Sequence, residues 1–98
     1  MIVVRNVFQL KFGKAREAVA HWKRGKALLQ KTGHSPIRLL TDVTGPYYTL
    51  VMESQFRSLA DVEKAHLTTA ATREWRAWYK KFTTLVESGR REIYRTVD

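Results

Sequence analysis

The feature that most constrains this chain's fold is a change of hydrophobic period: two-residue alternation gives way to three-and-four spacing, returns, and runs through the same cycle again. Ile2 to Phe12 reads as a strand, Lys14 to Lys31 as a helix, and Ile37 to Val43 with Tyr47 to Phe56 as two strands joined at Thr44-Gly45-Pro46. A second helical stretch follows, and a last strand starts at Arg91. The order is β-α-β-β-α-β, an α+β pattern. It predicts a four-stranded antiparallel sheet in the order 4-1-3-2 with its helices on one face.

Parity sorts the first strand into an apolar row, Ile2, Val4, Asn6, Phe8 and Leu10, which is predicted to face the helices. The first helix carries Ala15, Ala18, Val19, Trp22 and Leu29 on one stripe and is predicted to stop at Thr32-Gly33. Ser58 followed by Asp61 resembles a capping box that opens the second helix, and Leu67-Thr68-Thr69-Ala70 predicts a kink or short loop within it. Beyond the kink, Trp75, Trp78, Tyr79, Phe82, Leu85 and Val86 form one stripe predicted to end at Gly89.

The uncovered face would carry Val3, Val7 and Val51 among Arg5, Gln9, Thr49 and Glu53, too apolar for water and too polar for an interior. Two such faces packed together would bury on the order of 1,000 Å² or more, so a homodimer is the expected partner state. Arg5, Glu53 and Arg95 would fix register there by ion pairing.

Composition removes several chemistries. The chain has no cysteine, hence no disulfide, thiolate nucleophile or Cys-ligated metal. No apolar run reaches the roughly 20 residues of a membrane span, and MIVVRNVFQL lacks the basic start and cleavage site of a secretory signal, so a cytoplasmic location without membrane contact is expected. Ninety-eight residues suit one domain, residues 1–98. The net charge of +9 keeps an anionic partner open. The basic residues follow the polar faces of both helices, and no nucleic-acid-binding motif accompanies them, so nucleic acid is disfavoured. No metal site follows from the spacing of the three histidines, and no Ser-His-Asp set, phosphate loop or paired carboxylates are present.

The opening Val7-Phe8-Gln9-Leu10-Lys11-Phe12-Gly13-Lys14, the run Glu53-Ser54-Gln55-Phe56-Arg57-Ser58-Leu59, the aromatic segment Glu74 to Phe82 and the closing Arg90-Arg91-Glu92-Ile93-Tyr94 resemble the NIPSNAP-type small proteins of the dimeric α+β barrel superfamily. The resemblance spans nearly the whole chain and implies a ferredoxin-like βαββαβ protomer that pairs into a dimeric α/β barrel. More distant relatives include antibiotic-biosynthesis and haem-degrading monooxygenases. The haem-degrading type uses an asparagine on the first strand, where Asn6 stands. Its tryptophan and histidine align near Ala65 and Trp75, which leaves only His66 or His21 to replace the haem ligand.

Three functions are open on these residues. The first is a homodimer of uncertain activity that binds a small hydrophobic or anionic ligand between helices and sheet, with no cofactor. The second is a cofactor-independent or haem-using monooxygenase with Asn6 polarising substrate or oxygen and His66 as base or ligand. The third is a basic interaction module for nucleic acid or an acidic partner. Asn6 and His66 are the catalytic candidates, and Asn6, Trp22, Tyr48, His66, Trp75 and Tyr79 the candidate ligand-binding residues. Asn6 could instead bond to a neighbouring backbone or side chain, His66 could be a helix-end or surface residue, and the tryptophans could be core. His21, on the polar side of its helix, and His34, in a loop, are weaker candidates.

Overall fold

A computed structural model describes residues 1–97; Asp98, the last residue of the expected domain, lies outside the described residues. The elements are β1 (Ile2–Leu10), α1 (Ala15–Lys31), β2 (Ile37–Thr41), β3 (Thr49–Phe56), α2 (Leu59–Ala70), α3 (Arg73–Thr83) and β4 (Val86–Arg95). The sheet runs β2-β3-β1-β4, the predicted order read from the other edge, and every neighbouring pair is antiparallel. This is the α+β, ferredoxin-like arrangement.

Local chemistry sets the helix ends. Gly13, at φ 80°, turns the chain out of β1, and Gly33, at φ 77°, closes α1 after its carbonyls at Leu29 and Gln30 have taken the His34 and Gly33 amides. The Ser58 hydroxyl accepts the Asp61 amide at 3.1 Å, so the predicted cap starts α2.

Several boundaries differ from the sequence reading. The helix break falls at Ala71-Thr72, because Thr68 stays helical and the Thr72 hydroxyl bonds back to the Thr68 carbonyl. The turn between β2 and β3 is longer than Thr44-Gly45-Pro46: Tyr47 and Tyr48 belong to it, and Tyr48 takes a left-handed φ of 58°. β1 stops at Leu10, not Phe12. β4 begins at Val86 rather than Arg91, and Gly89 lies within the strand instead of ending a helix. The central strand demands a partner along its length, so Phe8 pairs with Gly89 and Asn6 with Arg91.

The inward row of β1 packs under the helices as predicted. The main core gathers Leu10, Ala18, Trp22, Leu29, Leu50, Trp78 and Phe82, and a smaller one under α2 holds Ile2, Val4, Phe56 and Val62. Each of the larger aliphatic and phenyl side chains among them contributes about 1.5–3 kcal/mol by leaving water. His21, expected on a polar face, is buried against Trp78, and Gly25 is what lets that indole approach α1.

Among the described residues no helix covers the other face of the sheet. Register aligns Arg38, Glu53, Arg5 and Glu92 across all four strands as an alternating row of charge. Glu53 accepts from Arg5 at 2.8 Å and from Arg38 at 2.7 Å. Arg95, expected to join this set, faces the helix side opposite Ile2. Among the described residues, no helix is long and apolar enough to cross a membrane.

Candidate functional site

The cleft between helices and sheet has a volume of about 850 Å³. Its floor is the inward row of three strands: Asn6 and Phe8 from β1, Met52 from β3, Gly89 and Arg91 from β4. Gly89 matters to that floor, since a Cβ there would come within 3.0 Å of the Phe8 ring. The roof is aromatic, with Trp22 from α1 and Trp75, Tyr79 and Phe82 from α3, while the end of α2 brings His66 and Thr69 to the mouth.

Asn6, Trp22, His66, Trp75 and Tyr79 therefore share one cleft. Tyr48 does not. The left-handed turn carries it out of the β3 alternation, and its ring lies 5.0 Å from Phe12 in a separate groove of about 780 Å³, beside Arg16 and Lys23. Trp22 is also core: its ring meets Trp78 and Phe82 edge to face at 4.5 and 5.4 Å, and its buried indole N–H has no hydrogen-bond partner among the described residues.

The polar corner of the cleft is built on Arg91, a residue the sequence reading placed among solvated charges. Its Nε donates to the Asn6 side-chain oxygen at 2.8 Å, and its Nη1 lies 3.4 Å from His66 Nδ1. A guanidinium can only donate, so Nδ1 is the acceptor and the His66 ring carries its hydrogen on Nε2. Burial, then the charge of Arg91, then that of His34 hold the His66 pKa below its ordinary value. Asn6 meets its second neighbour, the Met52 sulfur, at 3.8 Å, a weak contact that leaves amide hydrogens for a ligand.

This geometry changes the roles open to the histidines. His66 has its lone pair on Arg91, and buried His21 has Nε2 on the Trp78 carbonyl at 2.9 Å. Neither fits as an iron ligand, so the haem-using expectation finds no support in the two residues it relied on. His34 also lines the cleft; its Nδ1 donates to the Ser35 carbonyl at 2.8 Å, which leaves Nε2 as an acceptor. Among the described residues no three metal-ligating side chains gather.

The family model NIPSNAP matches residues 4–98. A NIPSNAP family protein from Agrobacterium tumefaciens is similar in structure at 21% identity, with a TM-score of 0.91 over 99% of this chain and 93% of that one. A NIPSNAP domain protein from Burkholderia xenovorans gives 15% identity and a TM-score of 0.90 over 99% and 95% of the two chains. A variant of SnoaB, a cofactor-independent oxygenase from Streptomyces nogalater, shares the fold at 13% identity, with a TM-score of 0.75 over 99% and 93%. No curated protein matches the chain.

Proposed function

The chain belongs to the NIPSNAP family, and from that premise we propose that it is a one-domain cytoplasmic homodimer that binds a small hydrophobic or anionic molecule in the cleft between helices and sheet. The observation that carries this reading is the cleft itself: about 850 Å³, walled by aromatic rings and furnished with a corner of hydrogen-bond donors at Asn6, His66 and Arg91. Volumes of this order accommodate drug-sized ligands, and apolar walls with a few fixed polar groups are how such sites hold them.

Trp22 and Trp75 line the cleft, so tryptophan fluorescence should change saturably as naphthol is titrated in. Ala70→Phe, which fills the exposed end of the cleft on α2, should weaken that response without lowering the melting temperature. An unresponsive wild-type protein would remove the reading.

Pairing is supported by the helix-free face, where Leu40, Val51 and Val7 lie in one row beside the charged one. Sedimentation should give twice the chain mass, and Val51→Glu should give single chains. Wild-type protein that stays single at high concentration would exclude the dimer.

A second reading is cofactor-independent oxygenation. It is favoured by the donors of the corner, which would stabilise a substrate anion, and by the free Nε2 of His34, which could accept a proton. Oxygen uptake with a polycyclic hydroquinone, lost in Asn6→Ala and in His34→Gln, would support it. Turnover unaltered by both changes would remove these residues.

A further inference from the structure

We propose that Arg91 makes the cleft selective for a carboxylate, so that the ligand is an apolar monocarboxylic acid whose two oxygens dock on the outer N–H groups of this guanidinium. The proposal rests on the reading of the cleft as a ligand site.

The first support is an imbalance of charge. Arg5 and Arg38 share Glu53, and Arg90 holds Glu92 at 2.7 Å. Arg91, on the same sheet, has only neutral partners among the described residues, an amide and an imidazole. Glu87 also lines the cleft, yet among the described residues it forms no ion pair with Arg91. Arg91 is exposed at the edge of the cleft, and an uncompensated cation there, beside an apolar wall, attracts an anion.

The second support is orientation. Of the five N–H groups on a guanidinium, two are spent here on Asn6 and His66, from two different elements. They fix the plane of the group and leave its outer donors unpaired. A planar fork held in this way matches two coplanar oxygens better than a single one.

The third is polarity. The Asn6 amide nitrogen and His66 Nε2 are donors as well, so the corner offers hydrogens and asks for acceptors. A neutral alcohol or amide of the same body satisfies fewer of them, while the aromatic roof accepts the hydrocarbon part of either.

Naphthylacetate and naphthylacetamide test this by calorimetric titration into the intact protein. The acid should bind about tenfold to a hundredfold more tightly than the amide, the range expected for charge-assisted hydrogen bonds. Arg91→Gln should erase that preference while keeping the amide's affinity. Arg91→Lys should restore part of it, and Arg95→Gln, on the same strand but outside the cleft, should leave it intact. Equal binding of acid and amide by the wild type would overturn the selectivity and leave the cleft reading standing. Binding of neither compound at millimolar concentration would overturn both.

Discussion

Trp78 and His21 hold each other twice: the indole N–H donates to the His21 carbonyl at 2.7 Å, and His21 Nε2 donates to the Trp78 carbonyl at 2.9 Å. Their rings stack 4.6 Å apart within 2° of parallel. This tie pins α3 to α1 and fixes the aromatic roof of the cleft.

Gly25 lies under the pinned ring, where a Cβ would come within 2.4 Å of it. Replacing a mid-helix glycine with alanine ordinarily gains about 1 kcal/mol. Here Gly25→Ala is expected to destabilise the protein by about 1–3 kcal/mol, because the ring cannot move without losing its bond to the His21 carbonyl and its stack on the His21 ring. Urea denaturation of the two proteins measures the difference, and a more stable alanine variant would refute the tie.

Stability should fall as pH drops below about 6.5, the ordinary pKa of the His66 ring. Unfolded His66 takes up a proton at that pH while the folded ring, desolvated and facing Arg91, resists it, so acid favours the unfolded state. His66→Gln should flatten this part of a melting-temperature profile; an unchanged slope between wild type and variant would contradict it.

Glu53 is buried on the helix-free face, and the hydrogen bond from Arg5, aided by that from Arg38, holds its carboxyl below the usual range despite burial. Its stabilisation is present above the ordinary value near 4.5 and is lost as pH falls through the depressed one. Glu53→Gln should cost about 1–2 kcal/mol at neutral pH, a modest sum because both arginines reach solvent. The gap between variant and wild type should narrow in acid, as read by denaturant melts at neutral pH and in strong acid.

Tyr48 takes a backbone conformation that costs any residue with a Cβ. Tyr48→Gly and Tyr48→Ala both remove the ring, so their difference isolates the backbone. Glycine should be the more stable of the two by about 1 kcal/mol in thermal or chemical melts.

Parity and helical spacing made the element order and the inward row of β1 legible, since each depends on residues close in sequence, and the fixed hand of crossovers then gave the sheet order. The missed features depend on pairing between distant ones. Leu85 and Val86 continue the α3 stripe by spacing alone, and only β1's need for a neighbour turns Val86 into strand. Arg91 sat in a basic run that resembles a solvated face. Counting back by twos from Ile93, which shares its row with Arg91 and Gly89, was the signal that could have set it beside Asn6. Nothing local marked His21 as buried, because the ring that covers it and the carbonyl that takes its Nε2 hydrogen belong to distant Trp78. Tyr48 left the alternation through a single dihedral angle.

β4 forms one rim of the sheet, with β1 on its inner side and no strand on its outer side among the described residues. Such a rim is a template on which further strands can add, and here it carries arginine at 90, 91 and 95. Long charged side chains along a rim, with Glu87 and Glu92 among the arginines, oppose the addition of a further strand, so ribbon-like growth of one sheet into the next is discouraged by the strand that also supplies the cleft with its anchor.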